Sequence, residues 1–135
     1  MAEKGGAAKV LGAVTAGFPS PAEQYAEGPL DLNELLVKRP AATYFLRVQG
    51  DSMQERAILD GDLLVVDRSL TPADGDVIIA AVDGEFTVKT LRLEGAGTKR
   101  KVSLEPANAA YPVIRFAPGA HLDYFGKVTA VIHRL

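Results

Sequence analysis

The run "DVIIAAVDGEFTVKTLRLE", residues 76 to 94, constrains the fold more than any other stretch. Two β-branched and apolar segments flank a lone Asp83-Gly84 pair. Such a pair adopts the left-handed backbone of a two-residue turn and matches the twist of the strands it joins. The segment therefore predicts a tight antiparallel hairpin. Neighbouring stretches repeat the theme. "ATYFLRV" alternates Tyr44, Leu46 and Val48 on one face, and "DLLVVD" follows the Asp60-Gly61 turn. "VSLEP", "YPVIRF" and "DYFGKVTAVIHRL" supply further strands. About seven short strands, with turns every 8 to 12 residues or so, predict a small antiparallel β-barrel or sandwich.

Ahead of the strands the pattern differs. Residues 1–30 are rich in Gly, Ala and Pro and show no clear period, which predicts a flexible arm without its own core. The opening "MAEKGGAAKVLGAVTAGF" has lysines and small residues, as a secretory signal would. Glu3, Lys9 and three interrupting glycines argue against that reading and for a cytoplasmic arm. "DLNELLVKRP" predicts a short helix, with Asp31 as cap, Glu34 at capping-box spacing, Leu32, Leu35 and Leu36 on one side and Pro40 as the stop. The expected organisation is an arm of residues 1–30 followed by one β-rich domain, 31–135, with no helix-turn-helix before the strands.

Composition excludes several kinds of chemistry. The chain has no cysteine, so disulfides, thiol catalysis and thiolate metal sites are absent. Its net charge is −2, which argues against strong direct binding of nucleic acid. No apolar run approaches the roughly 18 residues of a membrane span. No grouping points to a metal or an organic cofactor.

Two residues stand out chemically. Ser52 lies in "GDSM" between apolar runs. Ser52 and Glu55 fit a capping box, and on local sequence the cap is the stronger reading. Capping and catalysis are compatible, because a serine at a helix start lies beside free N–H groups of the kind an oxyanion needs. A serine nucleophile requires a base. His121 and His133 are the only histidines, and nothing in their surroundings supports either; a solvent-facing ring is the expectation for both. Lys89 is more telling. Alternation puts it on one strand face with Thr87, Leu91 and Leu93. An edge-strand lysine would snorkel its ammonium into water. A partly buried one would lose pKa and serve as a base near neutrality.

"GDSM", "DGDLLVVD" and "DGEFTVK", with the spacing of Ser52 to Lys89, resemble the LexA/UmuD family of self-cleaving serine peptidases. "GFPSPA" and "LDLNELL" favour its UmuD branch, and the likeness runs over about residues 14 to 135. The resemblance implies Ser52 as nucleophile, Lys89 as base, and a scissile bond between Ala16 and Gly17. It implies a homodimer, cleavage stimulated by a RecA–single-stranded DNA filament during the SOS response to DNA damage, and a shortened product that joins a UmuC-type translesion polymerase. Two other functions stay open. The chain could be a LexA-like or processing peptidase acting on another protein, or a dimeric polymerase-binding adaptor. One departure is the loop from Glu94 to Lys101, longer and more basic than the family pattern, with Lys99, Arg100 and Lys101 in a row. A solvated loop is the plain reading there.

Overall fold

A computed structural model describes residues 7–19, 28–117 and 120–135. Residues 1–6, with most of the basic end of the signal-like stretch, lie outside it, as do the "SPAEQYAE" part of the arm and Pro118-Gly119 beside His121. Contacts within the chain fall into two units, Met1–Lys38 and Arg39–Leu135.

In the first unit, strands β1 (Lys9–Val10) and β2 (Gly28–Pro29) pair antiparallel. The Leu30 N–H donates to the Ala8 carbonyl at 2.7 Å, extending the ladder. The arm thus has local pairing that its composition did not indicate. Helix α1 (Leu32–Leu36) follows, and the Asp31 carboxylate caps it by accepting from the Asn33 N–H at 2.9 Å. The cap was expected, whereas the helix spans only five residues and buries none of its side chains. Leu32 and Leu35 are exposed, so among the described residues the predicted apolar side is left uncovered there.

The second unit is mostly β. A 3₁₀ turn at Pro40–Ala42 leads into β3 (Thr43–Arg47), followed by β4 (Leu63–Asp67), β5 (Val77–Val82), β6 (Glu85–Glu94), β7 (Lys101–Glu105), β8 (Ile114–Arg115) and β9 (Asp123–Ile132). They form one antiparallel sheet in the order β3-β4-β9-β5-β6-β7-β8. Asp83 and Gly84 both have positive φ, 51° and 81°, as the two-residue hairpin between β5 and β6 requires. That hairpin aligns Ile78 with Lys89 and Ile79 with Val88.

Both faces of the middle strands are covered. One apolar cluster joins Val48, Met53, Ile58, Leu64, Val66 and Ile79. The other joins Ile78, Ala80, Leu91 and Leu104. The interior is aliphatic, as a chain with 7% aromatic residues and no Trp must make it. Because Met53 is only 1% exposed, the segment between β3 and β4 is pinned into the first cluster by its own side chain. Burying such a side chain is worth about 1.5–3 kcal/mol. Ser52 is thereby set at the surface of a fixed loop instead of on a mobile one.

Candidate active site

Three segments of the second unit meet at Ser52. The first is the loop Gly50–Arg56. Gly50 has φ +93°, a left-handed backbone that glycine adopts without strain. Its N–H donates to Asp60 Oδ1 at 2.7 Å. The loop ends in a 3₁₀ turn, Gln54–Arg56, with no side-chain cap. The capping box expected of Ser52 and Glu55 is therefore absent. The Glu55 N–H goes instead to the Ala107 carbonyl at 2.8 Å, and the Ser52 hydroxyl is left to face β6. Local sequence favoured the cap because S-x-x-E is a local signal; the strand pairing that brings a lysine to the hydroxyl is not.

The second segment is β6. Lys89 is 8% exposed, so it does not snorkel out. Its Nζ donates to Ser52 Oγ at 3.0 Å, to Thr87 Oγ1 at 2.7 Å and to the Val88 carbonyl at 3.1 Å. Among the described residues no carboxylate pairs with it. Burial lowers its pKa from the ordinary lysine value of 10.5, because an ammonium out of water has lost its hydration. The three partners suit either protonation state. An ammonium can donate to all three. A neutral amine can donate to Val88 O and Thr87 Oγ1 and turn its lone pair to the Ser52 O–H. A general base needs that last geometry. Thr87 was read from sequence only as a member of the same strand face. Its place two residues before the lysine is the signal that could have marked it as a partner.

The third segment borders a cleft of about 320 Å³ beside Ser52. Leu46, Val48 and Gln49 come from the end of β3 and just beyond, and Phe86, Thr87 and Val88 from the start of β6. Among the described residues β3 is the outermost strand on its side of the sheet and pairs only with β4, an edge of the kind that can pair with an extended peptide. Among the described residues, no acceptor stands against the N–H groups of Ser52 or Met53, whereas those of Gly50, Gln54 and Glu55 are all engaged. Free donors beside a hydroxyl can hold an oxyanion.

The other candidates lie elsewhere. His133 Nδ1 stands 2.6 Å from Asp62 Oδ1 and its side chain is 47% exposed. It is tied to a buried carboxylate, not simply solvent-facing as expected, because the end of β9 runs beside the start of β4. His121 is exposed. Lys99, Arg100 and Lys101 are exposed and make no ion pair among the described residues. In the first unit, Ala16 and Gly17 lie exposed in a bend, and Thr15 Oγ1 donates to the Phe18 carbonyl across it at 2.9 Å. No group of His, Asp and Glu side chains suited to a metal ion occurs among the described residues. No helix among them is long and apolar enough to cross a membrane.

Comparison with known proteins places this geometry in context. The family model described as "Peptidase S24-like" matches residues 9–129. The protein SamA of Salmonella typhimurium is 50% identical over 119 residues, covering 88% of this chain and 79% of the relative. The protein MucA of Escherichia coli is 43% identical over 134 residues, covering 94% and 88%. The LexA repressor of Acidothermus cellulolyticus is 39% identical over 129 residues, covering 96% of this chain and 44% of the repressor. The chain belongs to the peptidase S24-like family and is a serine peptidase of the self-cleaving LexA/UmuD type.

Proposed function

We propose that the chain cuts its own arm, or that of a partner copy, between Ala16 and Gly17, with Ser52 as nucleophile and Lys89 as base. The observation that carries this reading is the 3.0 Å contact between Lys89 Nζ and Ser52 Oγ, with no counter-ion to the lysine among the described residues. The neutral amine takes the hydroxyl proton as Oγ bonds to the Ala16 carbonyl carbon. The N–H groups of Ser52 and Met53 receive the oxyanion. The tetrahedral intermediate then collapses, the Gly17 nitrogen leaves with a proton from Lys89, and water releases residues 1–16 from the serine ester. Ala16 is small enough to let its carbonyl approach, and an extended arm can pair with the outer edge of β3. Attack by a tethered arm is effectively unimolecular, which can remove about 7–11 kcal/mol of barrier.

The arm of residues 1–30 is then the substrate and residues 31–135 the catalytic domain. The kinship with SamA, MucA and LexA repressor supports a place in the SOS response to DNA damage. In that setting the protein is a cytoplasmic homodimer, a RecA–single-stranded DNA filament stimulates the cut, and residues 17–135 serve a UmuC-type translesion polymerase as accessory subunit. A filament contributes no catalytic group. It acts by raising the fraction of time the arm spends in the cleft or Lys89 spends neutral.

Incubation of the purified protein at alkaline pH, read by mass spectrometry, tests the chemistry. A fragment beginning at Gly17 is expected without any other protein, and Ser52→Ala and Lys89→Ala should each abolish it. Persistent cleavage in Ser52→Ala would remove serine as the nucleophile.

A further inference from the structure

The loop that carries Ser52 is anchored from below by buried Met53 and closed by a bond from the Gln54 N–H to the Asp51 carbonyl at 3.2 Å, but nothing within it holds the serine side chain. Its 3₁₀ turn has no side-chain cap, and the Ser52 hydroxyl is committed to Lys89. The ends of the loop are tied to Asp60 and Thr90, whereas the residues around the serine itself are gripped from outside by the segment 107–111, which follows β7 and has no part in the chemistry described above. The Ala107 N–H donates to the Ser52 carbonyl at 2.7 Å, and the Ala107 carbonyl accepts from the Glu55 N–H at 2.8 Å. Asn108 Nδ2 donates to the Asp51 carbonyl at 3.0 Å. The Tyr111 hydroxyl donates to Asp51 Oδ1 at 2.6 Å. The segment is itself closed, because Asn108 Oδ1 accepts from the Ala110 N–H and the Asn108 carbonyl from the Tyr111 N–H. Residues 51, 52 and 55 are thus stapled to one short turn.

We propose that Asn108 and Tyr111 are positioning residues for the nucleophile, acting through Asp51 to hold Ser52 Oγ within reach of Lys89. The proposal rests on the reading of Ser52 as nucleophile. Asp51 immediately precedes Ser52, so its backbone carbonyl and its carboxylate fix the peptide plane that enters the serine. With both held, the serine's freedom is confined to its own side chain. With either released, the peptide entering Ser52 can turn between its remaining anchors, Gly50 held by Asp60 and Met53 held in the core. Charge at Asp51 is not what matters here; an acceptor for the Tyr111 hydroxyl is.

The test measures self-cleavage of the full chain across a range of pH. Tyr111→Phe and Asp51→Ala should each slow it on the order of tenfold, while Asp51→Asn, which keeps an acceptor, should stay within about threefold of the parent. The double variant Asp51→Ala/Tyr111→Phe should be no slower than the slower single one, because both remove the same bond. The midpoint of the pH profile should stay where the parent has it, since nothing around Lys89 changes. A parent-like rate in Tyr111→Phe, additive losses in the double variant, or a displaced midpoint would each overturn the proposal. So would slowing confined to variants whose urea midpoint falls in step. Ser52→Ala alongside separates two failures: cleavage persisting there sinks the nucleophile reading, whereas an inactive Ser52→Ala beside a full-rate Tyr111→Phe sinks only the strap.

Discussion

At the scale of single residues, the Lys89 amine couples activity to stability. Its folded-state pKa lies below 10.5 because burial disfavours the ammonium. Self-cleavage should therefore rise by about tenfold per pH unit while the neutral form is scarce, and level off above the folded-state pKa. Rates of appearance of the Gly17 fragment across alkaline pH check this, and a flat profile would exclude Lys89 as the base. The same shift has a stability consequence of known sign. Between the folded-state value and 10.5 the unfolded chain binds the proton more often, so stability climbs with pH through that window. Below the window the buried ammonium costs stability in full. Lys89→Met, similar in length and uncharged, should thus be more stable than the parent at neutral pH, with the gap closing toward pH 10.5. Urea unfolding at several pH values reads both variants. Sequence went far at this scale. Ser52 and Lys89 could be singled out from residue type and strand pattern, but their roles came from the family resemblance, and Thr87's contact and the strap at Asn108 and Tyr111 depend on distances no local pattern encodes.

At the scale of elements, the hairpin of β5 and β6 was legible because Asp-Gly between β-rich runs has few other conformations. Strand β9 was legible only as a strand. Its pairing slips on both sides: Thr129 is passed over between Val65 and Val66 of β4, and Phe125 between Ile79 and Ala80 of β5. Such bulges bend a strand and sharpen its twist, and they turn Phe125 toward Phe86 and Tyr44, with which it makes aromatic contacts at 4.8 and 5.8 Å. Gly126 sits between the two slips. A Cβ added there would meet Val66 Cγ1 at 2.6 Å and the Asp67 carbonyl at 3.2 Å, and Val66 is fully buried. Gly126→Ala should therefore destabilise the protein by about 1–3 kcal/mol through overpacking. Thermal or urea unfolding measures this, and an unchanged midpoint would mean that β4 and β9 part more easily than their contacts imply. Alternation in "DYFGKVTAVIHRL" gave no hint of the slips, since a bulge satisfies two partner strands at once and the partners are far away in sequence.

At the scale of the catalytic unit, the turn before β4 is clasped to residues from several parts of the chain. Asp60 Oδ1 accepts from Gly50, and the Asp62 carbonyl accepts from the Val48 N–H. The Asp62 carboxylate accepts from the Leu59 N–H at 2.8 Å and meets His133 near the C-terminus at 2.6 Å. The Leu59 N–H first, and His133 with it, hold the Asp62 carboxyl below its usual value of 3.8. A depressed carboxylate contributes stability above its unfolded-state pKa, and that contribution is lost as pH falls through the folded-state value. Asp62→Asn should therefore be less stable than the parent at neutral pH, and should lose less of its stability on acidification. Urea midpoints from neutral pH down through the carboxylate range test this; parallel curves for the two proteins would show that Asp62 does not govern acid sensitivity.

The amino-acid sequence alone determined the seven strands of the larger sheet, the Asp83-Gly84 hairpin, the Asp31 cap and the candidacy of the serine and the lysine. These follow from side-chain period, turn conformation and functional groups, which are properties of short segments. Tertiary structure alone decided that Ser52 caps nothing, that Lys89 is buried with no counter-ion among the described residues, and that residues 107–111 brace the serine. Each of those depends on a strand or turn arriving from tens of residues away, and burial exists only once those segments have closed over one another.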